Sequence, residues 1–139
     1  MYIATYYRNS CTMKKVKIQI EYVFDSVSRK SLWNQITMQS GLSHWFADRV
    51  EIKNDVYTFY WNNEASEAEV LVSKEERRIH FRWVEEEDCN AFFEFRIHTI
   101  ELTGATVFEI TDYCYPDEKG DTIDLWDTQV EALKRSLGI

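Results

Sequence analysis

Only one proline and four glycines punctuate the 139 residues. A chain this poor in breakers is not collagen-like, linker-rich or of low complexity. Basic residues are scarce beside acidic ones, 16 against 24, for a net charge of −8. Nonspecific nucleic-acid binding needs clustered positive charge to displace counterions, and docking on an anionic bilayer needs the same, so the expectation is neither partner. The three cysteines, Cys11, Cys89 and Cys114, are odd in number and form no CxxC pair. That spacing argues against a zinc site and a disulfide framework, and the reading is a reduced, cytoplasmic protein. No run of about 18 apolar residues exists, so no membrane-spanning helix is expected. Residues 1–12 lack the apolar segment of a secretory signal.

What the chain has in quantity is aromatic side chains, at 15% of residues within a hydrophobic fraction of 45%. Each buries a large area, so together they can fill a core or line a cavity. The length suits one domain with a core that needs neither disulfide nor metal. Residues 1–12 show no period and read as an N-terminal extension, with the domain over 13–139. Lys15–Phe24 alternates: Val16, Ile18, Ile20, Tyr22 and Phe24 face one way and Lys15, Lys17, Gln19 and Glu21 the other, which is a half-buried strand. Ser28 is a candidate N-cap for a short helix carrying Leu32, Trp33 and Ile36, and Gly41 reads as the glycine that ends it. Leu42, Trp45 and Phe46 suggest a second short helix. Strands follow over about 48–53, 56–61, 68–73, 77–84, 92–102 and 106–114, separated by hairpin-length turns such as Asn54-Asp55, Asn62-Asn63 and Thr103-Gly104, so the sheet is expected to be antiparallel. After Pro116, Asp121 is a candidate N-cap for a last helix over 122–137, whose Ile123, Trp126, Val130, Leu133 and Leu137 form one stripe.

This order, one strand, two short helices, a long meander and one late helix, resembles the helix-grip fold of START-like, birch-pollen-allergen-like proteins. The local wording Leu32-Trp33-Asn34-Gln35-Ile36-Thr37, then Gly41-Leu42-Ser43-His44-Trp45-Phe46-Ala47-Asp48, then Phe59-Tyr60-Trp61, is similar to the activator-of-Hsp90-ATPase-like branch. The late Leu125-Trp126 with Leu133 is similar to the closing helix of that branch. The resemblance implies an α+β class: a curved antiparallel sheet of about seven strands wrapped around a C-terminal helix, with two short helices after the first strand. The separate co-chaperone domain of the eukaryotic activator is absent from this sequence, so Hsp90 stimulation is not carried over. The matching motifs are packing motifs, which inform fold more than activity.

Tests for chemistry return little. His80 and His98 fall on the outer face of adjacent strands, where a solvated sheet face with Arg78, Arg82, Glu94 and Arg96 outweighs a metal pair. Glu85-Glu86-Glu87-Asp88 reads as a hairpin tip. The acids around Gly120 do not match a calcium loop. No nucleophile elbow or phosphate loop is present. The expectation is therefore no cofactor, no metal and no catalytic set. The resemblance implies a cavity between sheet and last helix, lined by Trp45, Phe59, Trp61, Phe81, Trp83, Phe95 and Trp126, that takes an apolar or amphipathic small molecule. Two alternatives stay open. One is a co-chaperone-like interaction module with a filled core, acting as a homodimer or on a protein partner. The other is a cyclase- or hydrolase-like enzyme, for which an inward Tyr60 or Arg82 would speak.

Overall fold

A computed structural model describes residues 14–139. The extension expected at residues 1–12 lies outside them. The element order is β1 (Val16–Phe24), α1 (Arg29–Thr37), α2 (Gln39–Trp45), β2 (Arg49–Lys53), β3 (Val56–Trp61), β4 (Glu64–Lys74), β5 (Arg78–Trp83), β6 (Phe93–Thr99), β7 (Thr106–Cys114), a 3₁₀ turn at Pro116–Glu118, and α3 (Lys119–Leu137). All neighbouring strands are antiparallel, in the order β1-β7-β6-β5-β4-β3-β2, so β1 and β2 are the two edges of an open sheet. The short helices carry the chain from one edge to the other, beneath the concave face on which α3 lies.

Local chemistry accounts for most of these elements. The side chain of Ser28 caps α1 by accepting the Ser31 N–H at 3.1 Å. Asn62 and Asn63 both take positive φ, 50° and 68°, the turn whose twist matches the β3–β4 hairpin. That tight turn lets β4 start at Glu64, four residues earlier than expected. Gly138, at φ 79°, closes α3, its N–H and that of Ile139 returning to the carbonyls of Arg135 and Lys134. The stripe Trp126, Val130 and Leu133 is buried, with Ile123 and Leu137 packed beside it.

Three expectations are corrected. Helix α3 starts at Lys119 because the 3₁₀ turn feeds straight into it, so Asp121 lies within its first turn and is not its cap. β6 ends at Thr99, and Leu102, 98% exposed, belongs to the turn that follows. Gly41 does not terminate a helix: it is buried inside α2. A Cβ there would stand 2.4 Å from the Asn34 carbonyl oxygen and 2.6 Å from Gln35 Cα, so the glycine is what lets α2 lie against the backbone of α1. The cysteines also depart in part. Cys114 is a buried free thiol, whereas Cys89 is not free, which removes the reading of a uniformly reduced set and weakens the argument for a cytoplasmic location.

The core is an aromatic layer. Phe59 of β3, Phe81 of β5, Phe93 and Phe95 of β6 and Phe108 of β7 have essentially no exposure. Their rings meet at 4.7–6.3 Å in stacked and edge-to-face pairs. Carbonyls left over at the helix ends are satisfied by side chains from elsewhere. Tyr57 donates to Thr37 O, Trp45 to Gln35 O and Trp61 to Phe46 O, each at 2.8 Å. Gly41→Ala should lower stability by about 1–3 kcal/mol in urea unfolding. The backbone overlap outweighs the roughly 1 kcal/mol by which alanine favours a helix over glycine. An unchanged midpoint would mean that α1 and α2 pack less closely.

Candidate functional site

At one end of the concave face, where α3 begins and β3 and β5 end, the aromatic layer opens into a cleft of about 420 Å³. Period-two alternation brings Trp61 and Trp83 to its wall from the last residues of β3 and β5, with ring centroids 6.2 Å apart. Its floor is Phe46, Phe93 and Trp126. Phe46 stacks on Trp126 at 5.7 Å and on Phe93 at 6.0 Å. The lip is Thr122, Leu125 and Gln129 of α3, and Leu125 is 60% exposed there. Gln129 donates to Phe46 O at 3.2 Å, tying α3 to the end of α2.

One ionisable group lines this cleft among the described residues. Asp112 follows Phe108 and Ile110 on the inward face of β7, and it accepts the Trp126 indole N–H at 2.9 Å and its neighbour Tyr113's backbone N–H at 2.8 Å. Burial pushes its carboxyl above the ordinary value, and the charge of Glu86 adds to that. The two N–H groups and the charge of Lys15 pull the other way without reversing it. The result is a carboxyl that keeps its proton more readily than usual at the edge of an apolar cleft. It can hydrogen-bond a polar ligand group in either protonation state. No second titratable side chain lines this cleft among the described residues.

Of the seven residues expected to line a cavity, the fold brings Trp61, Trp83 and Trp126 to the cleft. Trp45, Phe59, Phe81 and Phe95 pack beneath it in the filled aromatic layer. Phe46, Asp112, Thr122, Leu125 and Gln129 went unforeseen. Asp112 carries a sequence signal, since it continues the inward period of Phe108 and Ile110. Tyr60 and Arg82 do not face the cleft. The Tyr60 hydroxyl donates to Glu51 at 2.6 Å, and Arg82 donates to Ala91 O at 2.7 Å. His80 and His98 do lie on the outer face, but His80 pairs with Glu94 while His98 stands four residues further along β6, about 13 Å away.

Comparison with known proteins agrees with this geometry. A family model described as a START-like superfamily domain matches residues 12–139. A Bacteroides fragilis protein solved by NMR is 38% identical over 89% of this chain and 92% of its own, with a TM-score of 0.65. The Aha1 dimer from Colwellia psychrerythraea superposes with a TM-score of 0.74 at 16% identity, over 89% of this chain and 97% of that one. The protein XoxI from Bacillus cereus gives 0.71 at 10% identity, over 88% and 95%. No curated protein matches. Among the described residues no helix is long and apolar enough to cross a membrane.

Two outcomes follow from the cleft. Trp126→Ala should destabilise the protein by about 3–5 kcal/mol in urea unfolding, since the indole is buried and stacked as well as hydrogen-bonded. A loss under about 1 kcal/mol would place Trp126 outside the packing. For Asp112, the folded carboxyl holds its proton to higher pH than the unfolded one, whose ordinary value is 3.8. Its contribution to stability is complete below that value and is lost as pH rises through the folded one. Asp112→Asn should therefore gain stability relative to the natural chain as pH rises above 3.8, read as a pH-dependent difference in urea midpoint. A difference that stays flat would show that the folded carboxyl titrates normally.

Proposed function

Because this chain belongs to the START-like superfamily, we propose that it is a non-catalytic module that binds an apolar or amphipathic small molecule in the cleft between the sheet and α3. The observation that carries this reading is the cleft itself: aromatic on its floor and walls, of ligand size, and equipped with a single carboxyl that can orient one polar group. Trp61, Trp83 and Trp126 supply shape and dispersion. Trp45, Phe59, Phe81 and Phe95 hold that frame rigid from beneath and touch ligand only if the aromatic layer parts. Hydrophobic-ligand binding is common in the superfamily, which supports the assignment. No metal enters it.

A second reading draws on the filled layer under the cleft. There Phe59, Phe81 and Phe95 leave no exposure, so the molecule is instead an interaction module with Leu125 and the tryptophans as its contact surface. The Colwellia protein is a dimer, and the corresponding state here would be a homodimer.

Calorimetry with fatty acids, sterols and aromatic polyketides on folded protein separates the two. The first reading expects binding by at least one class, with a negative heat-capacity change and no sensitivity to chelators. Leu125→Asp, at an exposed position on the lip, should weaken that binding about tenfold without shifting the melting temperature. Absence of binding by every class, together with a dimer in native mass spectrometry that Leu125→Asp dissociates, would transfer the assignment to the interaction module.

A further inference from the structure

The convex face of the sheet, opposite the cleft, carries charges sorted by sign. Backbone register places Lys74 opposite Arg78, Arg78 opposite Arg96, Arg96 opposite Glu109 and Glu109 opposite Glu21. One row across five strands thus reads three cations and then two anions. Like charges directly opposite on neighbouring strands repel, so such a row carries a local electrostatic cost. The cationic end opens into a cleft of about 650 Å³ lined by Arg29, Lys74, Arg77, Arg78, Arg96 and His98. Five of the 16 lysines and arginines of a chain with net charge −8 therefore meet in one place.

Their internal partners do not use this charge up. Glu94, 6% exposed, is the carboxylate shared by Arg78 at 3.4 Å, Arg96 at 3.3 Å and His80 at 3.2 Å. Arg96 also stands 4.0 Å from Glu109. Arg29 is held to Thr99 Oγ1 at 2.9 Å and to the carbonyl of Glu76 at 2.6 Å, which fixes its guanidinium at the rim without neutralising it. Lys74 and Arg77 are exposed and have no carboxylate within ion-pair distance among the described residues. The cleft keeps an excess of positive charge, on fork-shaped donors suited to oxyanions.

We propose that this cationic cleft binds a small, multiply charged oxyanion of the di- or triphosphate class. Lys74 and Arg96 lie two strand spacings apart, about 10 Å, which suits a short chain of anionic groups better than a single one. The bordering Glu109 and Glu21, and the acidic balance of the rest of the chain, repel an extended polyanion and favour a small one. The site lies at the opposite end of β5 from the aromatic cleft, Arg78 against Trp83, and does not depend on the function proposed for that cleft.

The probe is inorganic tripolyphosphate, titrated calorimetrically into the whole protein at low salt. A dissociation constant of about 0.1 mM or tighter, weakening steeply with added salt and tighter than that of orthophosphate, is the expected result. Lys74→Gln with Arg77→Gln, both at exposed positions, should weaken binding about tenfold with the circular dichroism spectrum and melting temperature unchanged. Glu94→Gln should tighten it several-fold by releasing Arg78 and Arg96, an effect that a merely structural role for these arginines would not produce. No heat with tripolyphosphate, or equal affinity in the Lys74/Arg77 variant, would overturn the proposal. So would single-stranded oligonucleotide binding more tightly than tripolyphosphate and losing affinity in the same variant.

Discussion

The stack of Trp126 on Phe46 is the contact on which the rest of this structure depends. Phe46 follows directly on α2 and Trp126 lies in the second turn of α3, so one pair of rings joins the two helical parts of the chain over the sheet. Phe95 of β6 meets both rings edge-on at 5.9 Å. The indole N–H is then used by Asp112 of β7, and the Phe46 carbonyl by Trp61 and Gln129. Helices, sheet and last helix are thereby joined at a single aromatic node, with its polar atoms paired rather than buried bare.

The cleft is a consequence of that node. Rings packed this closely fill the middle of the concave face, and the space they leave is at the end, where β3 and β5 stop and α3 begins. A helix-grip sheet with smaller residues at positions 59, 81 and 95 would have its cavity in the centre. Here the phenylalanines move the accessible volume to the mouth, where Trp61 and Trp83 are only partly covered. The same displacement explains why Asp112 is partly desolvated and less acidic than usual, since it sits where the dry layer meets the open end.

The two faces of the sheet divide the chemistry between them. Alternation sends aromatic residues to the concave side and the charged row to the convex side. The register of the antiparallel strands then decides which charges become neighbours. Lys74 and Arg78 flank one tight turn and Arg96 lies on the following strand, and each is unremarkable alone. The hairpin turns at residues 75–77 and the long β5–β6 connection bring them side by side. Asp88, in that connection, accepts N–H groups of Asn90, Lys15 and Lys14. These hold its carboxyl below the ordinary range and tie the start of β1 to the loop.

Period and punctuation in the sequence by themselves determined the element order, the inward faces of β1, β5, β6 and β7, the apolar stripe of α3 and the hairpin at Asn62-Asn63. These are local properties: alternation, helical spacing and a turn that tolerates positive φ need no knowledge of the partner surface. Tertiary structure alone decided the role of Gly41, whose need for a missing side chain appears only when the backbone of α1 arrives where a Cβ would stand, 2.4 Å from the Asn34 carbonyl oxygen. It also decided that Phe59, Phe81 and Phe95 fill space while Trp61, Trp83 and Trp126 bound it. Facing inward is legible from a strand's period, but depth along the strand relative to a helix 60 residues away is not. Asp112 and the cationic row belong to the same class, because desolvation and cross-strand neighbours are properties of the assembled sheet and of no single segment.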